Sequence, residues 1–147
     1  MSENQGYALE ELEIGLSAQT VKLVTEADIQ AFAEVSGDFN PVHMDEDFAR
    51  RTPFRGRIAH GALTASLISG VLGNQLPGPG AIFMGMNMKF HRPVRIGDEV
   101  TAKVTVKEVH AKERRVVMDC LCSVEGEPAM TATTEVMVRK RLRKKAD

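Results

Sequence analysis

The chain reads as an α+β protein in which an antiparallel sheet wraps one long helix. Three observations predict this. The stretch His60 to Asn74 is apolar on nearly every side, with Ala62, Leu63, Ala65, Leu67, Ile68, Val71 and Leu72 separated by small residues. Four strand-like runs follow the Pro77-Gly78-Pro79-Gly80 break, and one strand and a shorter helix precede the long helix. A helix apolar on every side needs cover on most sides, which a curled sheet supplies. The sheet's edges then need protection, and pairing of edge strands in a homodimer is the simplest solution.

The elements follow in order. A first strand is predicted near Ala18 to Val24. Thr25 caps the next helix, with Asp28 at its third position in a near capping box. Ile29, Phe32, Ala33 and Val35-Ser36 form its apolar face, and Gly37 ends it. Pro41 turns Asn40 away from helical geometry, so 37–41 is a turn. A short helix over Asp45 to Arg51 is capped by Asp45, and Thr52 to Gly56 is a loop. At 1.5 Å per residue the long helix spans about 22 Å, a domain's thickness. Strands are predicted over Ala81 to His91, Asp98 to Val109, Arg115 to Val124 and Pro128 to Arg139, from their period-two alternation and β-rich composition. Val124-Glu125-Gly126-Glu127 reads as a hairpin turn.

The 147 residues suggest a single domain over 1–147, with 1–8 and 141–147 as flexible ends. That length buries roughly two thirds of the unfolded surface. A net charge of −1 gives no reason to expect nucleic acid. The polar start, Met1-Ser2-Glu3-Asn4-Gln5, carries no signal-peptide pattern. The run Gly61 to Leu76 is too short and too polar to span a bilayer. Cys120 and Cys122 sit two apart in a strand, where a disulfide would distort the backbone, so they are read as buried free thiols suited to a reducing cytoplasm.

The stretch that carries chemistry is Phe32-Ala33-Glu34-Val35-Ser36-Gly37-Asp38-Phe39-Asn40-Pro41-Val42-His43-Met44-Asp45. It sets a carboxylate, Asp38, five residues before an imidazole, His43, around a Gly, an Asn and a Pro, among apolar residues. Asn40 and Pro41 fix a turn that aims both side chains at one spot. Such a pair suits proton transfer. Alone, Asp38 after Gly37 would read as a turn residue. Downstream, Gly61 opens the long helix, whose first N–H groups have no partner within it. A glycine there admits close approach to the backbone. His60 reads as a cap or supporting residue, and Asp45 as an N-cap. Met84, Met86 and Met88 read as core or pocket packing. His91 and His110 lack zinc spacing, so no metal or cofactor is expected.

With those residues in place, the chain resembles the MaoC-like (R)-specific enoyl-CoA hydratases, which have the hot-dog fold. The resemblance rests on Phe32, Val35, Ser36-Gly37-Asp38, Asn40-Pro41, His43 and Asp45. It continues in Ile58-Ala59-His60-Gly61, Ser69-Gly70, Pro93-Val94 and Gly97-Asp98, and so covers roughly residues 10 to 140. It implies a single hot-dog and reversible syn hydration of a trans-2-enoyl-CoA to an (R)-3-hydroxyacyl-CoA. It also implies Asp38 and His43 as the catalytic pair and the Gly61 N–H as donor to the thioester carbonyl. Ser69 matches a family position near the catalytic Asp and the acyl pocket. Leu72 and Val138 are candidates to line the acyl tunnel, and Lys89, Arg92 and Arg95 are candidates for the CoA phosphates.

Two other readings stay open. One is a 3-hydroxyacyl-[acyl-carrier-protein] dehydratase, with an acyl carrier protein as partner. The other, of a different class, is an acyl-CoA-binding hot-dog protein without turnover, which would have no need of both Asp38 and His43. The basic run Arg139 to Lys145 reads as a solvated tail, or as an attraction for phosphates, a carrier protein or an anionic surface.

Overall fold

The computed structural model describes residues 5–141. A single turn of 3-10 helix at Leu9–Glu11 leads into β1 (Ser17–Leu23), α1 (Glu26–Ser36), α2 (Pro41–Met44), α3 (Glu46–Arg50) and α4 (Gly61–Asn74). Strands β2 (Ile82–Phe90), β3 (Glu99–His110), β4 (Arg115–Val124) and β5 (Glu127–Met137) follow. They form one five-stranded sheet in the order β1-β3-β4-β5-β2, antiparallel at every pairing. The sheet curls around α4, which packs against β1, β2, β3 and β4. This is the hot-dog arrangement.

The local signals act as their chemistry dictates. The Thr25 hydroxyl accepts from the Asp28 N–H at 3.2 Å, and the Asp28 carboxylate accepts from the Thr25 N–H at 2.9 Å. That second bond holds the Asp28 carboxyl below its ordinary range. Gly37 closes α1 with φ 78°, in the left-handed region where a Cβ is strained. Glu125 and Gly126 both have positive φ, as the two-residue hairpin between β4 and β5 requires.

The core lies between the sheet's inner face and α4. Val100, Ala102, Val104 and Val106 of β3 meet Val116, Met118, Cys120 and Cys122 of β4 and Ile68, Val71 and Leu72 of α4. Ile68 is fully buried at its centre. Ile68→Ala is therefore expected to cost about 2–5 kcal/mol of unfolding free energy, read from urea melts. Both thiols are free and buried. Burial pushes Cys120 up to about 11 and Cys122 up to about 12, from an ordinary 9.0. The folded chain thus holds these protons more tightly than the unfolded chain. The stability they contribute is complete below pH 9 and declines as pH rises toward 11 and 12. Melting temperatures taken across that range should fall more for wild type than for Cys122→Ala.

Several expectations change. Val35 is 85% exposed, because it stands about 240° round the helix from Ile29. Met84 and Met88 are exposed and only Met86 packs on the core, since β2 is an edge strand with a register shift between Phe83 and Gly85. The sheet covers one side of α4 and leaves Ala62, Ser66, Ser69, Gly70 and Gly73 as an exposed stripe. Of the end predicted over 1–8, residues 1–4 lie outside the described residues, and 7 and 8 are already tied down. The Tyr7 N–H donates to the Pro77 carbonyl at 2.7 Å, and Ala8 is buried. At the other end the Arg141 N–H donates to Glu10 Oε2 at 2.8 Å. The remainder of the basic tail, from 142, lies outside the described residues.

Candidate active site

The 37–45 segment is built by short-range bonds. The Asp38 N–H donates to Ser36 Oγ at 3.1 Å, and Asp38 Oδ1 accepts from the Asn40 N–H at 3.2 Å. Asn40 caps α2 through its own side chain, which accepts from the Val42 N–H at 3.1 Å, and Pro41 occupies the first helical position. One turn of helix then sets His43 back toward Asp38. A carboxylate oxygen of Asp38 and one ring nitrogen each of His43 and His60 lie within 4.8 Å of one another. The sequence-predicted pair is thus brought together, with His60 as a third member.

The hydrogen bonds of His43 define its state. Its Nδ1 lies 2.8 Å from the Ile58 carbonyl, which can only accept, so Nδ1 carries the proton. That leaves Nε2 as the ring nitrogen free of this bond. The His43 N–H donates to the Asn40 carbonyl at 2.9 Å, and its carbonyl accepts from Arg57 Nε at 2.5 Å. Arg57 is itself paired with Glu26 at 2.6 Å. The loop carrying Ile58 is fixed by two further bonds, Ile58 N–H to the Val42 carbonyl and Ala59 N–H to the Val94 carbonyl. Nothing in the spacing of residues separated by this loop announced Arg57, because its role depends on the loop folding back over α2.

Beside His43 opens a cleft of about 280 Å³, lined mainly by apolar groups, among them Phe54, Ile58, Phe90 and Pro93, with Thr64 and Gly61 at its base. Gly61 begins α4, so its N–H has no acceptor within the helix. A Cβ at Gly61 would sit 2.8 Å from Phe90 Cζ, so any larger residue there must displace the Phe90 ring. Apolar walls strengthen any charge interaction made within them.

The other expected residues fall in various places. Arg92 lines the cleft, and so does His91, whose Nε2 lies 2.7 Å from Thr131 Oγ1. Arg95 does not line it. Its guanidinium donates to the Phe54 carbonyl at 2.6 Å and so braces the cleft's wall. Lys89 is exposed on β2 outside the lining. Ser69 is exposed on α4 and also outside it. Leu72 and Val138 belong to the buried core rather than to this cleft. Leu72 shares the helical face of Gly61 but stands about 16 Å further along the axis.

Comparison with known proteins converges on one family. Residues 11–127 match the MaoC-like domain. The chain is 48% identical over 132 residues to a 3-hydroxybutyryl-CoA dehydratase of Methylorubrum extorquens, covering 90% of this chain and 84% of that one. It is 46% identical over 135 residues to an (R)-specific enoyl-CoA hydratase of Rhodospirillum rubrum, covering 92% and 94%. Its fold superposes on the unliganded R-hydratase PhaJ1 of Pseudomonas aeruginosa with a TM-score of 0.87 at 36% identity, covering 98% and 96%.

Proposed function

The chain belongs to the MaoC-like domain family, and we propose that it acts as an (R)-specific enoyl-CoA hydratase, a hydro-lyase that adds water reversibly to a trans-2-enoyl-CoA. The observation that carries this is the convergence of the Asp38 carboxylate and a ring nitrogen of His43 within 4.8 Å, with His43 and the first residue of α4, Gly61, lining one cleft. Hydration needs a water deprotonated as it attacks Cβ, a proton delivered to Cα, and a donor for the charge that builds on the thioester oxygen. Asp38 and His43 each offer an acceptor, so one water can donate to both. The pair takes a proton from that water and returns one to Cα on the same face. Acid–base groups of this kind contribute typically about 10²–10⁴-fold each. The Gly61 N–H, at the positive end of α4, faces the developing enolate oxygen. The chemistry moves only water and protons, so CoA enters as part of the substrate and no further cofactor is required.

Arg92 at the cleft is the proposed contact for the CoA phosphates. The chain is proposed to work in the cytoplasm, in keeping with its free buried thiols. No helix among the described residues is long and apolar enough to cross a membrane. A homodimer through β2 is supported by that edge strand's exposed Ile82, Phe83, Met84, Met88 and Phe90. An exposed apolar edge of this kind is a template for a second strand.

The test is loss of enoyl-thioester absorbance with crotonyl-CoA, followed by chiral analysis of the product. Rapid formation of the (R)-3-hydroxy thioester is expected. A folded protein that binds crotonyl-CoA and octenoyl-CoA without turning either over would overturn the reading. Faster turnover of the matched acyl-carrier-protein thioester would reassign it to dehydration on that carrier.

A further inference from the structure

His60 is 1% exposed, so its ring is closed off from any substrate, whereas Asp38, also outside the lining of the cleft, is exposed. Yet His60 is packed against both members of the proposed pair. Its Nε2 lies 2.9 Å from the Asp38 carbonyl oxygen, so Nε2 carries the proton and donates. Its ring lies against that of His43, with centroids 4.0 Å apart and planes 33° from parallel. Phe32 of α1 closes in at 4.9 Å. The other nitrogen, Nδ1, is buried with no hydrogen-bond partner. A buried orphan nitrogen is disfavoured, so a histidine held at this position calls for a compensating role.

We infer that His60 is a positioning residue that clamps the Asp38 backbone to the His43 ring and so sets the distance between carboxylate and imidazole. Asp38 is exposed and follows a left-handed glycine, so its segment is not held by core packing. Its N–H and Oδ1 bonds are both made within residues 36–40, and neither ties the segment to another element. The bond to His60 does so, because His60 is the N-cap of α4, the helix whose first N–H groups face the thioester. One ring therefore keeps the carboxylate, the imidazole and the helix N-terminus in one frame. Phenylalanine would keep the stack and lose the bond. Glutamine would keep a donor near the Nε2 position and lose the stack.

This inference rests on the hydratase reading and is tested on enzyme whose wild type turns over crotonyl-CoA. Absence of turnover by wild type would count against that reading and not against the clamp. His60→Phe is expected to lower kcat by about 10²-fold, the scale of a misplacement near 1 Å, with KM within about twofold of wild type. His60→Gln is expected to recover most of that loss. Should His60→Phe not fold, His60→Asn, whose amide falls short of the Asp38 carbonyl, takes its place beside Gln. Wild-type kcat in the Phe or Asn variant would overturn the proposal. Equal losses in the Gln variant and its counterpart, accompanied by a raised KM, would also overturn it and leave His60 as packing.

Discussion

Asp38→Asn is expected to lower turnover of crotonyl-CoA by about 10²–10⁴-fold, the contribution of one positioned acid–base group. The fold should be unaffected. Asp38 is exposed, and its only side-chain bond among the described residues is the one Oδ1 accepts from the Asn40 N–H. The amide oxygen of asparagine can accept that bond, so the turn is retained. What is lost is the negative charge and the ability to hold a proton. His43→Gln should fall into the same range, because glutamine has no ring nitrogen able to take up and return the proton as the proposed mechanism requires. The double variant should lose little more than the worse single one, since two groups on one water act as a unit. Stopped-flow absorbance gives kcat, and melting temperature checks the fold. Near wild-type turnover in folded Asp38→Asn would remove the carboxylate from the reaction.

Gly61→Ala is the second large effect. The new Cβ meets the Phe90 ring at 2.8 Å and is carried by the residue whose N–H is the proposed donor to the thioester oxygen. Phe90 is 49% exposed, so its ring can swing away and the melting temperature should move little. Catalysis cannot adapt in the same way. A thioester displaced by about 1 Å from its donor loses about 10²-fold, so kcat/KM is expected to fall on that scale. The Gly61→Ala/Phe90→Leu double variant should stay low, because relieving the ring leaves the Cβ beside the N–H. Full recovery in the double variant would place the whole effect in Phe90. An unchanged kcat/KM in the single variant would take Gly61 out of the site.

Local chemistry made much of this protein legible from its residues. The capping box of Thr25 and Asp28, the left-handed Gly37, the cap of Asn40 with Pro41, and the Glu125-Gly126 hairpin all depend on neighbours within a few positions. The structure forms the capping box, the Gly37 helix end and the hairpin as expected, and adds a helical turn from Pro41 capped by Asn40 where a turn over 37–41 was read. The proposed pair was legible for the same reason, since the six residues from Asp38 to His43 make a turn and one turn of helix. The strand pattern was also readable, because β3 and β4 have one face on the core and alternate accordingly.

Other features depend on contacts between distant segments. The spacing from Asp38 to His60 carries no period, and their bond exists only because the loop over 51–60 returns across α2. Arg57 reaches the His43 carbonyl by the same return. Arg95 was legible as a charge near the strand end, but its carbonyl partner on Phe54 was not. Leu72 and Met84 are both apolar, and hydrophobicity alone does not say which stays in the core and which stands at an open edge. The sheet order does, by placing β2 outermost and Leu72 beneath β3 and β4. The sequence by itself thus determined the five strands, the longer helices, their order and the two groups proposed to move the proton, because bonds within a few residues settle those. The tertiary structure alone decided which nitrogen of His43 is free, what holds the pair in place, and which apolar residues form the cleft. Those depend on where the chain meets itself after the sheet has closed on the helix.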